Sequence, residues 1–199
     1  FKRNAMTANP DKFQAMLIRP GRCDPREPVE LNFLDSTTTS TDHVNILGIT
    51  IDERLNFNFH VTNLCRKAGQ QLNALKRLSP FLDLTSRMTV FKSFILCNFN
   101  YCPLIWHYCG CINARKLEKI QYRALKFVYK SEDSYESLLQ KADLPSVNLS
   151  RIRKIAIEVF KIINQTSPDV LNGMISFRDN RRAFIPRRRT TRFGLRSFT

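Results

Sequence analysis

Clustered carboxylates are what a chain needs to hold a pair of divalent cations, and here adjacent acids occur at two places only, Asp52-Glu53 and Glu132-Asp133. No Asp-Asp pair exists, and neither acidic pair has an aromatic residue two positions before it, so both read as turn and cap residues. Thiols and imidazoles form a second cluster: Cys97, Cys102, His107, Cys109 and Cys111. They lack the CxxC knuckle that lets two thiolates grip one metal from a tight turn. Free cysteines buried among Phe99, Leu104 and Trp106 account for them better, and no metal site is expected. The histidines His43, His60 and His107 are dispersed, without a serine or cysteine partner, which argues against a nucleophilic hydrolase.

Positive charge is the remaining chemistry. Thirty-two Lys and Arg against seventeen Asp and Glu leave +15, a balance that favours a polyanion as partner. Arg115, Lys119, Arg123, Lys126 and Lys130 follow one another at steps of four, four, three and four, which stacks them into one stripe on a helix, with Tyr122 and Tyr129 beside it. Only Glu118 is expected to oppose that stripe. A stripe of this kind can track phosphates; the competing reading is an ordinary solvated face. A second concentration lies in residues 178–199, where Arg181, Arg182, Arg187, Arg188, Arg189, Arg192 and Arg196 suit sequence-independent nucleic-acid binding or nuclear import.

The elements that must carry these residues follow from periodicity. The opening residues 1–8 look like the end of a helix closed by Asn9-Pro10, so the chain reads as a fragment. Strands are expected at 13–19, 29–34 and 44–51, with residues 35–42 a polar Ser/Thr connection. The last strand, Ile46 to Ile51, is read as buried and interrupted by Gly48, whose missing Cβ lets another backbone approach.

From residue 59 the period changes to 3.6. The first helix turns Val61, Leu64, Cys65, Ala68, Leu72, Leu75 and Leu78 inward and ends near Ser79-Pro80. A second, capped by Thr85 or Ser86, buries Met88, Phe91, Phe94, Ile95 and Phe99 before Pro103 kinks or ends it. A third spans 113–130 and buries Leu117, Ile120, Ala124, Phe127 and Val128. A short fourth covers 134–141, and a fifth, 149–164, buries Ile152, Ile155, Ala156, Val159, Phe160 and Ile163. Residues 178–199 are expected to be a flexible arm. No apolar run reaches membrane-spanning length, and the six cysteines are read as reduced thiols of a nuclear or cytoplasmic protein that is not secreted.

Asn9-Pro10-Asp11-Lys12-Phe13-Gln14, then Leu47-Gly48-Ile49, then Cys65-Arg66-Lys67-Ala68, Tyr101-Cys102-Pro103-Leu104-Ile105-Trp106 and Leu117-Glu118-Lys119-Ile120-Gln121-Tyr122-Arg123-Ala124 occur in a characteristic order. That order resembles the last part of the palm, followed by the thumb, of a reverse transcriptase from a non-LTR (LINE-type) retrotransposon. The resemblance covers essentially the whole chain. It implies an α+β fold: a small antiparallel palm-edge sheet in residues 1–54, a mainly α-helical thumb and C-terminal extension in 55–177, and a basic tail in 178–199.

The resemblance also implies that Leu47 and Gly48 support the primer strand, that Lys12 lies near the incoming nucleotide's phosphates, and that Arg66 and Lys67 contact nucleic acid. The partner is then a template–primer duplex of RNA and DNA. The magnesium ions of the parent polymerase are held by carboxylates that these 199 residues lack, so no cofactor and no polymerase activity are expected of this chain alone. The alternative is a non-catalytic helical nucleic-acid-binding protein of other ancestry.

Overall fold

A computed structural model describes residues 9, 12–18, 28–33, 36–172, 175–177 and 184–186. The expected helix at 1–8, Cys23 and the arginines of the tail lie outside the described residues. The fold is α+β, with small sheets leading into a helical body.

Strand β1 (Ala15–Met16) pairs parallel with β3 (Ser36–Thr41), which pairs antiparallel with β2 (Glu30–Phe33). The run at 36–41, expected as a connection, is thus the central strand of its sheet. Its threonines are β-branched and suit a pleated surface, but with polar residues on both faces it carries no hydrophobic alternation to announce itself. Cross-strand polar pairing takes the place of apolar contact, as where Thr37 Oγ1 donates to Asn32 Oδ1 at 2.7 Å.

The glycine segment also differs from expectation. It is a hairpin of β4 (His43–Ile46) and β5 (Ile49–Asp52), joined by Leu47 and Gly48 alone. Both turn residues have positive φ, 49° and 83°, the geometry of a two-residue turn whose twist matches antiparallel strands. Gly48 is therefore explained by the turn. A Cβ built there would meet the Tyr101 ring at an ordinary 3.7 Å, so close approach of another group is not what requires glycine. Ile49 enters the core at 2% exposure, whereas Ile46 is exposed and Leu47 stands out at 85%.

Helix α1 (Asn58–Leu78) is launched by Asp52, whose buried carboxylate accepts from the backbone N–H of Arg54, Asn56 and Phe57 at 3.1, 3.2 and 2.6 Å. These contacts hold the left-handed Phe57 that opens the helix. Val61, Ala68, Leu72 and Leu75 are buried as the periodicity requires; Leu78, in the last turn, is exposed. After a 3-10 turn (Ser79–Phe81), α2 (Leu84–Val90) starts from Asp83, whose side chain accepts from Ser86 N–H.

Helix α2 runs through a π-helical stretch (Phe91–Leu96) into α3 (Cys97–Asn100). The wider π turn aligns Phe91, Ile95 and Phe99 at steps of four, all buried, and swings Phe94 out to 58% exposure, against the expectation. The left-handed Cys102 then turns the chain into α4 (Pro103–Trp106).

Helix α5 (Cys111–Tyr129) buries Leu117, Ala124, Leu125 and Val128 completely. It runs in the same direction as α1. Asn113 donates to Asn58 Oδ1 at 2.6 Å where both begin, and Lys76 Nζ sits 5.2 Å from the Phe127 ring where both end. Helices α6 (Tyr135–Ala142) and α7 (Val147–Ile163) are capped by Ser134 and Ser146, whose hydroxyls accept from Ser137 and Leu149 N–H.

The expected burial of α7 is corrected. Ile152 is 46% exposed and Phe160 65%, and Ala156 is exposed, while Val147 and Arg151 are buried. The helix is apolar on several sides, so the face that periodicity selects is not singled out by its composition. Packing turned it so that the Arg151 guanidinium lies 5.3 Å from the Trp106 ring and donates to Cys109 Sγ at 3.6 Å and Asn148 Oδ1 at 3.3 Å.

A short α8 (Asp169–Asn172) precedes a two-stranded ribbon of β6 (Ile175–Phe177) and β7 (Phe184–Pro186). Three residues of the expected arm are therefore paired. Among the described residues no helix is long and apolar enough to cross a membrane.

Candidate nucleic-acid interface

The stripe on α5 forms as its spacing predicts. Arg115, Lys119, Arg123 and Lys130 are exposed and Lys126 half-buried, and from first to last they extend about 22 Å at 1.5 Å per residue. Glu118 does not oppose them. Its carboxylate turns the other way, accepting from Asn148 N–H at 2.7 Å and Val147 N–H at 3.2 Å in the first turn of α7, and from the Tyr135 hydroxyl. There it satisfies helix-end donors and complements the helix dipole. Burial first and the Glu118 carboxylate second push the Tyr135 hydroxyl well above the usual phenol range, so it stays a donor.

The last three cations of the stripe open onto a cleft of about 560 Å³ between the ends of α1 and α5. Arg123, Lys126 and Lys130 line one side with Phe127; Lys76 and Ser79 of the preceding elements close it. Among the described residues the one carboxylate lining the cleft is Glu132, which pairs with Lys126; this contact foremost holds the Lys126 ammonium above the usual lysine range. Lys126 also lies 5.3 Å from the Tyr122 ring. Lys130 caps α5 in the left-handed conformation, φ 52°, a place where glycine is favoured.

The other expected contact residues lie elsewhere. Leu47 and Gly48 form the exposed hairpin tip, steadied by the Tyr101 hydroxyl donating to Leu47 O at 2.5 Å. Lys12 is exposed on the strand side. Two residues after it, the Gln14 side chain holds the Asn45 backbone of β4 through bonds of 2.8 and 3.2 Å, so Lys12 and the hairpin belong to one neighbourhood. Arg66 and Lys67 are exposed along α1.

The hairpin packs at the start of α1, where Thr50 N–H donates to His60 Nδ1 at 3.4 Å; the cleft sits at its end, beside Lys76. Sixteen residues of helix, about 24 Å, separate the two. The stripe runs alongside from the one end toward the other, because α5 is parallel to α1.

Comparison with protein-family models, with curated proteins and with solved structures yields no match.

The acidic pairs are spent on internal contacts. Asp52 anchors the entry to α1, Glu132 meets Lys126, and Asp133 accepts from Lys141 at 2.6 Å. Among the described residues no three His, Cys, Asp or Glu side chains are grouped to hold a metal. Of the thiols expected to be buried, Cys109 is; Cys97, Cys102 and Cys111 are exposed, Cys102 at the kink before α4 and Cys111 at the start of α5.

Sequence reasoning missed Lys76, Ser79 and Glu132 as members of the cleft. Lys76 and Glu132 are ordinary charged residues near helix ends, and only the parallel packing of α1 and α5 brings them to the stripe.

Proposed function

We propose that this chain is the C-terminal part of a retrotransposon RNA-directed DNA polymerase. In this reading it contributes contacts to the primer and the template duplex and no catalytic carboxylate. The observation that carries the reading is the continuous run of cations along α5, lying beside α1 between an exposed Leu47–Gly48 turn at one end and a basic cleft at the other. Such a run lets one helical face follow a phosphate backbone over about 22 Å, and a duplex carries one charge per about 1.7 Å of its axis.

Lys12 and the hairpin would then face the growing end of the primer, while Arg115, Lys119 and Arg123 track the duplex. Order and spacing of the short motifs support the polymerase ancestry; the cations support the nucleic-acid contact.

The test measures affinity for an RNA–DNA hybrid as salt is varied. Replacing Arg115, Lys119 and Arg123 together by Gln is expected to weaken binding and to flatten the slope of log K against log salt by about 0.9 per lost phosphate contact, about 2.7 for three. An unchanged slope overturns the reading of the stripe. Primer extension with magnesium and deoxynucleotides on the same chain is expected to give no incorporation, and robust incorporation would refute the assignment of a non-catalytic part.

A further inference from the structure

Among the described residues, four cations and a single carboxylate line the cleft at the end of α1 and α5: Lys76, Arg123, Lys126 and Lys130 against Glu132. Helix C-termini attract cations through their exposed carbonyls, and Lys76 and Lys126 fit that structural role, each standing in the last turn of its helix. Two features go beyond it. Lys130 occupies a left-handed cap where glycine would sit without strain, so a cation stands at a strained place facing the cleft. Glu132 reaches in from the loop after α5 to pair with Lys126, yet its side chain remains 88% exposed.

A carboxylate that is solvated and held mainly by one lysine is easily displaced, since an exposed ion pair is worth at most about a fivefold change in an equilibrium. We infer that Glu132 is a resident anion standing in a phosphate site: the cleft binds a phosphate group, and Glu132 gives up Lys126 when that phosphate enters. With Glu132 displaced, Lys76, Arg123, Lys126 and Lys130 all face the incoming oxyanion. The inference rests on the nucleic-acid reading for the source of the phosphate, a backbone phosphodiester, while the cleft itself is tested with a small anion.

The experiment titrates inorganic pyrophosphate into the isotopically labelled full chain and follows the backbone amides of Lys126 to Glu132 by NMR, with hybrid-duplex binding measured in parallel. Glu132→Gln keeps the size of the side chain and removes its charge, and it is expected to tighten pyrophosphate binding about three- to fivefold. Lys130→Gly is expected to weaken it at least threefold while leaving the thermal midpoint unchanged or raised, which separates lost contact from lost folding. Lys161→Gln, on α7, serves as the control and leaves binding unchanged.

Equal affinity of the parent chain and Glu132→Gln, or shifts confined to residues outside the cleft, overturns the inference. Pyrophosphate binding that behaves as expected, with no duplex bound by any variant, supports the cleft and overturns the nucleic-acid reading instead.

Discussion

Asp52 shows how one side chain can fix a junction. At 3% exposure its carboxylate takes three backbone N–H groups of the turn that starts α1, among them that of Phe57 in the left-handed region. Truncation to Ala orphans those donors and releases the hairpin from the helix it abuts. Asp52→Ala is expected to cost about 2–3 kcal/mol, the range for a buried charged acceptor, read from the urea midpoint. A loss below about 0.5 kcal/mol would mean the turn holds itself without the carboxylate. Glu118 makes a related point. Its sequence neighbourhood suggested a charge opposing the stripe, but two N–H groups of α7 and the Tyr135 hydroxyl claim it, and the stripe keeps its surplus.

At the scale of elements, α7 has two apolar sides and one of them faces water. Phe160 and Ile152 lie outside the core, whereas Arg151, 2% exposed, lies inside on Trp106 with no carboxylate partner among the described residues and its Nε unbonded. The helix rotation therefore predicts an inversion of the usual hydrophobic ranking. Phe160→Ser is expected to change stability by no more than about 0.5 kcal/mol, as at a surface site, while Arg151→Ala removes packing from a buried ring and costs about 2 kcal/mol or more. Denaturant midpoints of the two variants decide it; a loss of about 3 kcal/mol for Phe160→Ser would restore the face that periodicity suggested. The same logic explains Phe94, which the π-helical stretch turned outward.

For the whole molecule, the hairpin and the helices share a core, since Ile49 packs in the same cluster as Val61, Phe91, Trp106 and Leu117. Two histidines lie within this body. Burial lowers the His60 pKa, and burial first and Arg151 second lower that of His107, from an ordinary 6.5. His60 Nδ1 accepts from Thr50 N–H, so a proton there would set donor against donor.

The folded state thus binds fewer protons than the unfolded chain in this window. Stability is expected to be level above about pH 6.5 and to fall as pH drops below it, until the lowered folded-state values are reached. Urea midpoints at pH 7.5 and 5.5 for the parent chain and His60→Gln check this, with the variant losing less of its midpoint than the parent on acidification. Equal losses would remove His60 from the account.

The amino-acid sequence by itself determined the spans of α1, α5, α6 and α7 to within two residues, because the 3.6 spacing of their apolar residues and a cap such as Ser134 act over one or two turns. It also determined the cationic stripe, the lack of paired aspartates and the α+β class. Tertiary structure alone decided that the glycine segment is a hairpin with its tip in water and that Thr-rich residues 36–41 form a central strand. It decided too which side of α7 is buried and that Lys76 meets Phe127 from 51 residues away. Capping and periodicity are local energies that a short window contains. The choice among apolar faces and the company of a charged side chain are set by contacts between distant segments, which exist only once the helices have packed.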